Sequence, residues 1–349
     1  RLGGDMHFYR KKRRARTLEQ SNTLRKRTFK YMKADNRVAF GHLAVSLGAF
    51  FGLWGLGIAF YDVLVVRLAL MTLLAGVIIR IYITQHDCGH YMHFSTKRMN
   101  MVIGTLLSAI TLNSFKAMIY NHNRHHATVG DLAHRDAHEV MTWTLSEYEA
   151  ASPMKQLGYR AFRHPFVLFG IGALLVFFVR YRFPKNGIRC GVGDVILQNA
   201  LMFGLWAAAY AVFGWPGVVV LVGSTAIAAC FGVLIVYLGH NYEFTYWKAD
   251  EEYDFQQASL QGSSVLDLGP VMNFVLFDAG FHDLHHLNAR IPCYKLRACY
   301  AELTNDLTPN RITWDKVVQC MGMKLWDEKQ GKMVGFPPSR QSPAIAPAE

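Results

Sequence analysis

Apolar residues fill positions 42–61 almost without interruption and fill 63–84 again, with Arg67 and Arg80 near the ends of the second run. Each run is about the ~20 residues that a helix needs to cross the hydrocarbon core of a bilayer. The break at Tyr61-Asp62 is short, so the pattern predicts a helical hairpin. A second pair follows at about 196–213 and 218–237, joined by Gly214-Trp-Pro-Gly217. Pro and Gly mark a turn there, and Trp215 suits a membrane interface. Two shorter apolar runs, 101–113 and 165–179, fall below spanning length and are expected to be interfacial or only partly inserted.

The expected fold is therefore an all-α integral membrane protein with four transmembrane helices and a cytosolic helical cap. Residues 1–38 read as a basic cytosolic region, 39–326 as the membrane domain, and 327–349, with Pro337-Pro338 and Pro347, as a disordered tail. Within the domain, 291–326 alternates apolar and charged residues at helical spacing, as expected of helices that cap a site.

Composition agrees with a membrane protein: 52% of the 349 residues are hydrophobic, including 23 Phe, 16 Tyr and 7 Trp. A net charge of +12 invites a nucleic-acid reading. The Lys and Arg residues, however, crowd into the first 33 positions, as in Lys11-Lys-Arg-Arg14 and Arg25-Lys-Arg27, and into segments after apolar runs. That distribution marks the cytosolic face of a bilayer and no nucleic acid partner. The polar N-terminal stretch has no cleavable-signal pattern, so the first membrane helix is expected to target the chain. Six cysteines without a CxxC pair read as reduced thiols.

The candidate chemistry lies in the histidines. His86-Asp-Cys-Gly-His90 follows the second apolar run; His122-Asn-Arg-His125-His126 and His282-Asp-Leu-His285-His286 repeat one spacing; His240 closes the fourth run. On a helix, positions i, i+3 and i+4 share one face, so each His-x-x-His-His aims three imidazoles at one point. Nine clustered imidazoles are costly unless bound, and they exceed what one ion of four to six ligands needs, so the count predicts two metal ions. Imidazole suits zinc, copper, iron or nickel, and the lack of thiolates other than Cys88 argues against structural zinc or an iron–sulfur cluster. Asp87 and Asp283 are candidates to orient imidazole N–H groups. Neither a P-loop nor a dinucleotide-binding glycine motif is found, so nucleotide use gets no support.

In their order and spacing these boxes resemble the integral-membrane fatty acid desaturase family, most closely its bacterial and plastid-like Δ12 or ω-6 branch. The likeness runs from about residue 60 to 315. It includes Thr142-Trp-Thr-Leu-Ser-Glu-Tyr148, the stretch from Arg160 into Phe166-Val-Leu-Phe-Gly170, Arg180-Tyr-Arg-Phe-Pro184 and Gly280-Phe-His-Asp-Leu-His-His-Leu-Asn-Ala-Arg-Ile-Pro292.

The resemblance implies two iron ions held by His86, His90, His122, His125, His126, His240, His282, His285 and His286 on the cytosolic side. It also implies a fatty acyl substrate in a narrow tunnel, O2 as co-substrate, and two electrons from a donor such as ferredoxin or cytochrome b5. Hydrogen leaves adjacent methylenes, giving water and an alkene. Both termini would be cytosolic, in a multi-pass protein of a bacterial inner membrane. Two features depart from the pattern. Asp131-Leu-Ala-His134-Arg-Asp-Ala-His138 carries extra histidines that are either surface residues or lining of an entry path, and Gly239-His240-Asn241 replaces the usual Gln-His.

The same scaffold supports hydroxylation, acetylenic bond formation or oxidative decarboxylation to a terminal alkene. A membrane metal transporter is the rival of another class. It would need ionisable residues along a path through the bilayer, and the four apolar runs carry little beyond Arg67 and Arg80.

Overall fold

The computed structural model describes residues 24–137, 140–183, 191–249 and 252–338, and these are mostly helical. Helix α1, Asn36–Ala59, starts at Asp35, whose carboxylate accepts the N–H groups of Arg37 and Val38. Helix α2, Leu64–Gly89, follows a four-residue turn and returns alongside it. At 24 and 26 residues both are long enough to cross a bilayer. Their outer faces carry Phe51, Leu56, Leu64, Val65 and Leu73, all exposed in the isolated chain. An exposed apolar belt of this extent is stable only against lipid.

Helix α3, Lys97–Thr111, and helix α4, Phe115–Thr128, meet at 98°. The chain turns at Leu112, which takes a left-handed φ of 57°. Gly104 allows the bend to close, because the Phe115 ring occupies the space where a side chain would stand. At its start α3 lies near the beginning of α1, where Ser95 N–H donates to Asn36 Oδ1. Near its end, the Gln85 amide of α2 donates to the carbonyls of Gly104 and Asn113 and accepts from Thr111 Oγ1. Gln85 precedes His86, so both ends of α3 sit at the same end of the α1–α2 hairpin.

Helix α5, Pro153–Phe162, and helix α6, Phe166–Arg182, meet at 61°, and α6 is largely π-helical. It packs Phe169 on Tyr237 near its start and anchors Arg182 to Asn199 Oδ1, Gln198 and the Leu112 carbonyl at its end.

Helix α7, Val192–His240, has 49 residues and would reach ~74 Å if straight. Yet Asp194 accepts from Lys116 N at the start of α4, and His240 meets His125 near the end of α4, a helix only ~21 Å long. The run therefore doubles back, and it does so at Gly214 (φ 62°, ψ −156°), two residues before Pro216. Gly217 permits the reversal, since an added Cβ would sit 2.9 Å from the Ala209 carbonyl. Trp54 Nε1 donates to Gly217 O at 2.9 Å and ties the reversal to the far end of α1. Among the described residues, and counting α7 as one, three helices are long and apolar enough to cross a membrane, or up to five if each bent pair counts as one span.

The cap holds helix α8, His282–Leu287, helix α9, Cys293–Leu303, and two small sheets. Strand β1, Trp143–Thr144, runs parallel to β4, Leu325–Asp327, which pairs antiparallel with β5, Lys332–Val334. Strands β2, Val265–Leu266, and β3, Arg311–Ile312, form a parallel pair.

The mostly helical chain also carries these two small sheets, and residues 327–338, expected to belong to a disordered tail, include strand β5. Trp326 and Met333 alternate inward against Trp247, Gly331 supplies the positive φ of the turn, and Arg160 donates to the Pro337 carbonyl. Apolar alternation too brief to register in a polar, proline-bearing tail makes this hairpin. Residues 339–349 and 1–23 lie outside the described residues. What is described of the basic N-terminal region is pinned to α9 and the turn after it, with Lys30 and Tyr31 on Glu302 and Arg27 on Asp306.

Candidate metal centre

Four elements converge at one end of the helical hairpins: the last turn of α2, the second half of α4, the end of α7, and α8. They bring all nine predicted histidines into two groups. His86, His90, His122, His126 and His285 form one; His125, His240, His282 and His286 form the other, and within each the candidate ligand atoms lie within 4.8 Å of one another. Each His-x-x-His-His is split between the groups, because its helix stands between them.

The Nε2 atoms face each other. His86 and His122 are 2.6 Å apart, His122 and His126 2.8 Å, and His126 and His285 3.1 Å. In the second group His240 lies 3.0 Å from both His125 and His282, and His282 is 3.2 Å from His286. Ligands ~2.1 Å from one ion stand ~3 Å apart, so this packing suits nitrogen lone pairs aimed at a shared ion. His90 Nε2 is buried with no hydrogen-bond partner, a donor set left open for a Lewis acid.

The electrostatics agree. Burial, reinforced by neighbouring imidazoles, holds His122, His126, His282, His285 and His286 well below the ordinary histidine range, and burial brings His90 to about 3. Neutral imidazole is the form that ligates. One orientation is fixed from behind: His240 Nδ1 donates to the Gly262 carbonyl at 2.8 Å, which leaves its Nε2 as the lone pair facing the group. Gly239 makes room beside it, since an added Cβ would stand 3.1 Å from the His282 ring.

The carboxylates divide. Asp87 is buried, 3.8 Å from His86 Nδ1 and 3.3 Å from His93 Nδ1, and accepts from Cys293 N and Sγ, so it braces the first box against α9. Asp283 accepts from Leu284 N–H and touches no imidazole among the described residues; burial pushes its carboxyl up to about 7. His134 is exposed and pairs with Asp131 at 2.8 Å, away from both groups, while His138 lies outside the described residues. Sequence reading missed His93, which is fully buried against Asp87; its place three residues after His90 is the signal that marks it.

Beneath the groups runs an apolar cavity of about 350 Å³ between α2, α6 and the second arm of α7, lined in part by Ile79, Tyr82, Leu168, Ala229, Gly232 and Val236. Val140 and Val236 also line a smaller space of about 30 Å³ whose other walls include His125 and His240. The large cavity therefore ends one side-chain layer from the second group.

A family model described as fatty acid desaturase matches residues 63–317. A fatty acid desaturase of Bacillus subtilis is 33% identical over 303 residues, covering 86% of each chain. An sn-1 oleoyl-lipid 12-desaturase of Synechocystis is 22% identical over 266 residues, 72% of this chain and 73% of that one. A chloroplastic omega-6 fatty acid desaturase of Arabidopsis thaliana is 24% identical over 67% of this chain and 53% of its own length.

Proposed function

The chain belongs to the fatty acid desaturase family, and from that premise we propose that its two histidine groups hold two iron ions and that an acyl chain lies in the apolar cavity beneath them. As a member of that family it is an oxidoreductase acting on fatty acyl chains in a membrane. The reaction balances as R–CH2–CH2–R′ + O2 + 2e⁻ + 2H⁺ giving R–CH=CH–R′ and two waters. The irons, when bound, supply the reduction of O2 and the removal of hydrogen. The protein supplies the rest. Nine neutral imidazoles hold the ions without thiolate, Gly262 fixes the His240 tautomer, and the cavity wall excludes water from the methylenes. The observation that carries this reading is the juxtaposition of the two histidine groups with an apolar cavity sharing Val140 and Val236 with the space against His125 and His240.

For topology, we read α1, α2 and the two arms of α7 as four crossings, with α3, α4 and α6 held at the interface on the histidine side. The short return of α3 to Gln85 supports it, as does the doubling back of α7. The histidine face is then cytosolic, where Lys and Arg concentrate, and an acidic one-electron carrier such as a ferredoxin, or cytochrome b5, approaches it.

The test is expression in a host lacking dienes, with gas chromatography of membrane acids and headspace. New double bonds in the acyl chains are expected; hydroxy acids or volatile alkenes in their place would assign another outcome to the same site. The cavity makes a second prediction. An added Cβ at Gly232 meets no atom within 4 Å, so its face opens on the cavity. Gly232→Phe is expected to lower turnover of long chains roughly tenfold, about 1.4 kcal/mol, while metal content stays at two per chain. Equal turnover of long and short chains in that variant would remove the cavity as the acyl site.

A further inference from the structure

Arg163 is the largest fully buried side chain among the described residues, at 0% exposure, and no carboxylate pairs with it there. A buried guanidinium in that position is retained only if its donors are met by neutral acceptors. Its Nη donors are met by three segments of chain, while Nε, also buried, has no hydrogen-bond partner among the described residues. Nη1 donates to Met141 O at 3.0 Å and Thr142 Oγ1 at 3.1 Å; Nη2 donates to Asn241 Oδ1 at 2.8 Å, Met323 O at 3.0 Å and Tyr237 OH at 3.2 Å. Tyr237 and Asn241 in turn donate to Met323 O, and Lys324 Nζ donates to the Arg163 carbonyl at 2.7 Å.

Two of these acceptors flank one residue. Tyr237 lies one turn before His240 and Asn241 follows it directly, so the fork of Arg163 grips the end of α7 on both sides of the isolated fourth-run histidine. Thr142, Tyr237 and Asn241 are also the walls that the small cavity places opposite His125 and His240. The other eight candidate ligands stand in the sequence as a pair and two triples. His240 is a single histidine, held at Nδ1 by the Gly262 carbonyl, and α7 ends at it.

We propose that Arg163 is a positioning residue for the metal centre: its planar fork fixes the last turn of α7 and so aims His240 at the second histidine group. The inference rests on the two-ion reading of the site. It requires no charge transfer, only that a guanidinium spans Met141–Thr142, Met323 and the Tyr237–Asn241 pair at once. Lysine, with a point charge and no fork, cannot do this.

The experiment is anaerobic ferrous loading of the purified full chain, with iron per chain and chelator competition as readouts. Wild type is expected to bind two ions. In Arg163→Gln one ion is expected to weaken by about 10- to 100-fold, the range seen when groups behind a ligand are removed, while the other is unchanged. Arg163→Lys should behave as Gln does. The effect should vanish in a His240→Ala background, where nothing remains to aim, and persist in full in His90→Ala.

A merely structural role predicts parallel loss of both ions, and a role for charge alone predicts rescue by lysine; either result overturns the proposal, as does retention of both ions at wild-type affinity. If Arg163→Gln does not fold, Tyr237→Phe removes one anchor at constant volume and is expected to weaken the same single ion severalfold, with no change refuting the proposal. A wild-type chain that binds one ion or none refutes the two-ion reading itself, a result distinguishable from all of these.

Discussion

His282→Ala and His86→Ala are both expected to abolish product formation, by more than about a hundredfold, yet to differ in metal content. His282 belongs to the group of four imidazoles and His86 to the group of five. Removing His282 leaves three protein ligands, and the ion of that group is expected to be lost, so iron falls from two per chain to about one. Removing His86 leaves four, enough to retain an ion in altered geometry. Iron content by mass spectrometry alongside lipid analysis checks both. Activity persisting in either variant would sink the assignment of its group, and loss of both ions from both variants would show one cooperative site where two are argued.

Stripping the metal is expected to destabilise the protein strongly, and increasingly so in acid. Each ion that binds only the folded chain adds about 4 kcal/mol at a thousandfold excess over its dissociation constant. Without ions, the site still holds His122, His126, His282, His285 and His286 well below the ordinary histidine range, with His90 at about 3, because burial penalises their charged forms. In the unfolded chain the same groups titrate near 6.5. Between the two values the unfolded state binds more protons, so stability falls as pH drops below about 6.5 and is unaffected above it. Each such histidine contributes up to about 1.4 kcal/mol per pH unit in that window. Thermal unfolding of chelator-treated protein at pH 7.5 and pH 5.5, against the iron-loaded form, measures this. A metal-free protein equally stable at both would mean that the imidazoles are solvated.

Much of the centre was legible because its geometry is written at short range. The spacing of the boxes picked out all nine histidines, but it aimed each i, i+3, i+4 triple at one point, whereas His125 parts from His122 and His126, and His285 from His282 and His286. The long apolar runs were equally plain, and the reversal at Gly214 fell where Gly and Pro announced it. What spacing could not reveal were contacts made across long separations. Arg163 gathers Met141, Asn241 and Met323, and nothing in Arg160–Pro165 distinguishes it from its neighbour Arg160, which caps Tyr148 and Pro337 instead. The β4–β5 hairpin was hidden for a related reason. Its two inward residues, Trp326 and Met333, gain their burial from Trp247, some eighty positions earlier in the chain. Asp283 accepts from the backbone N–H of Leu284, a local contact that its place beside three imidazoles did not announce.

The division of each late histidine between two groups bears on synthesis. The first group takes His285 from α8, and the second takes His282 and His286 from the same six residues. Neither group is complete until this last box has left the ribosome, after both arms of α7 have been made. A nascent chain thus carries only fragments of either group, and both close only once α8 packs against α2, α4 and the end of α7.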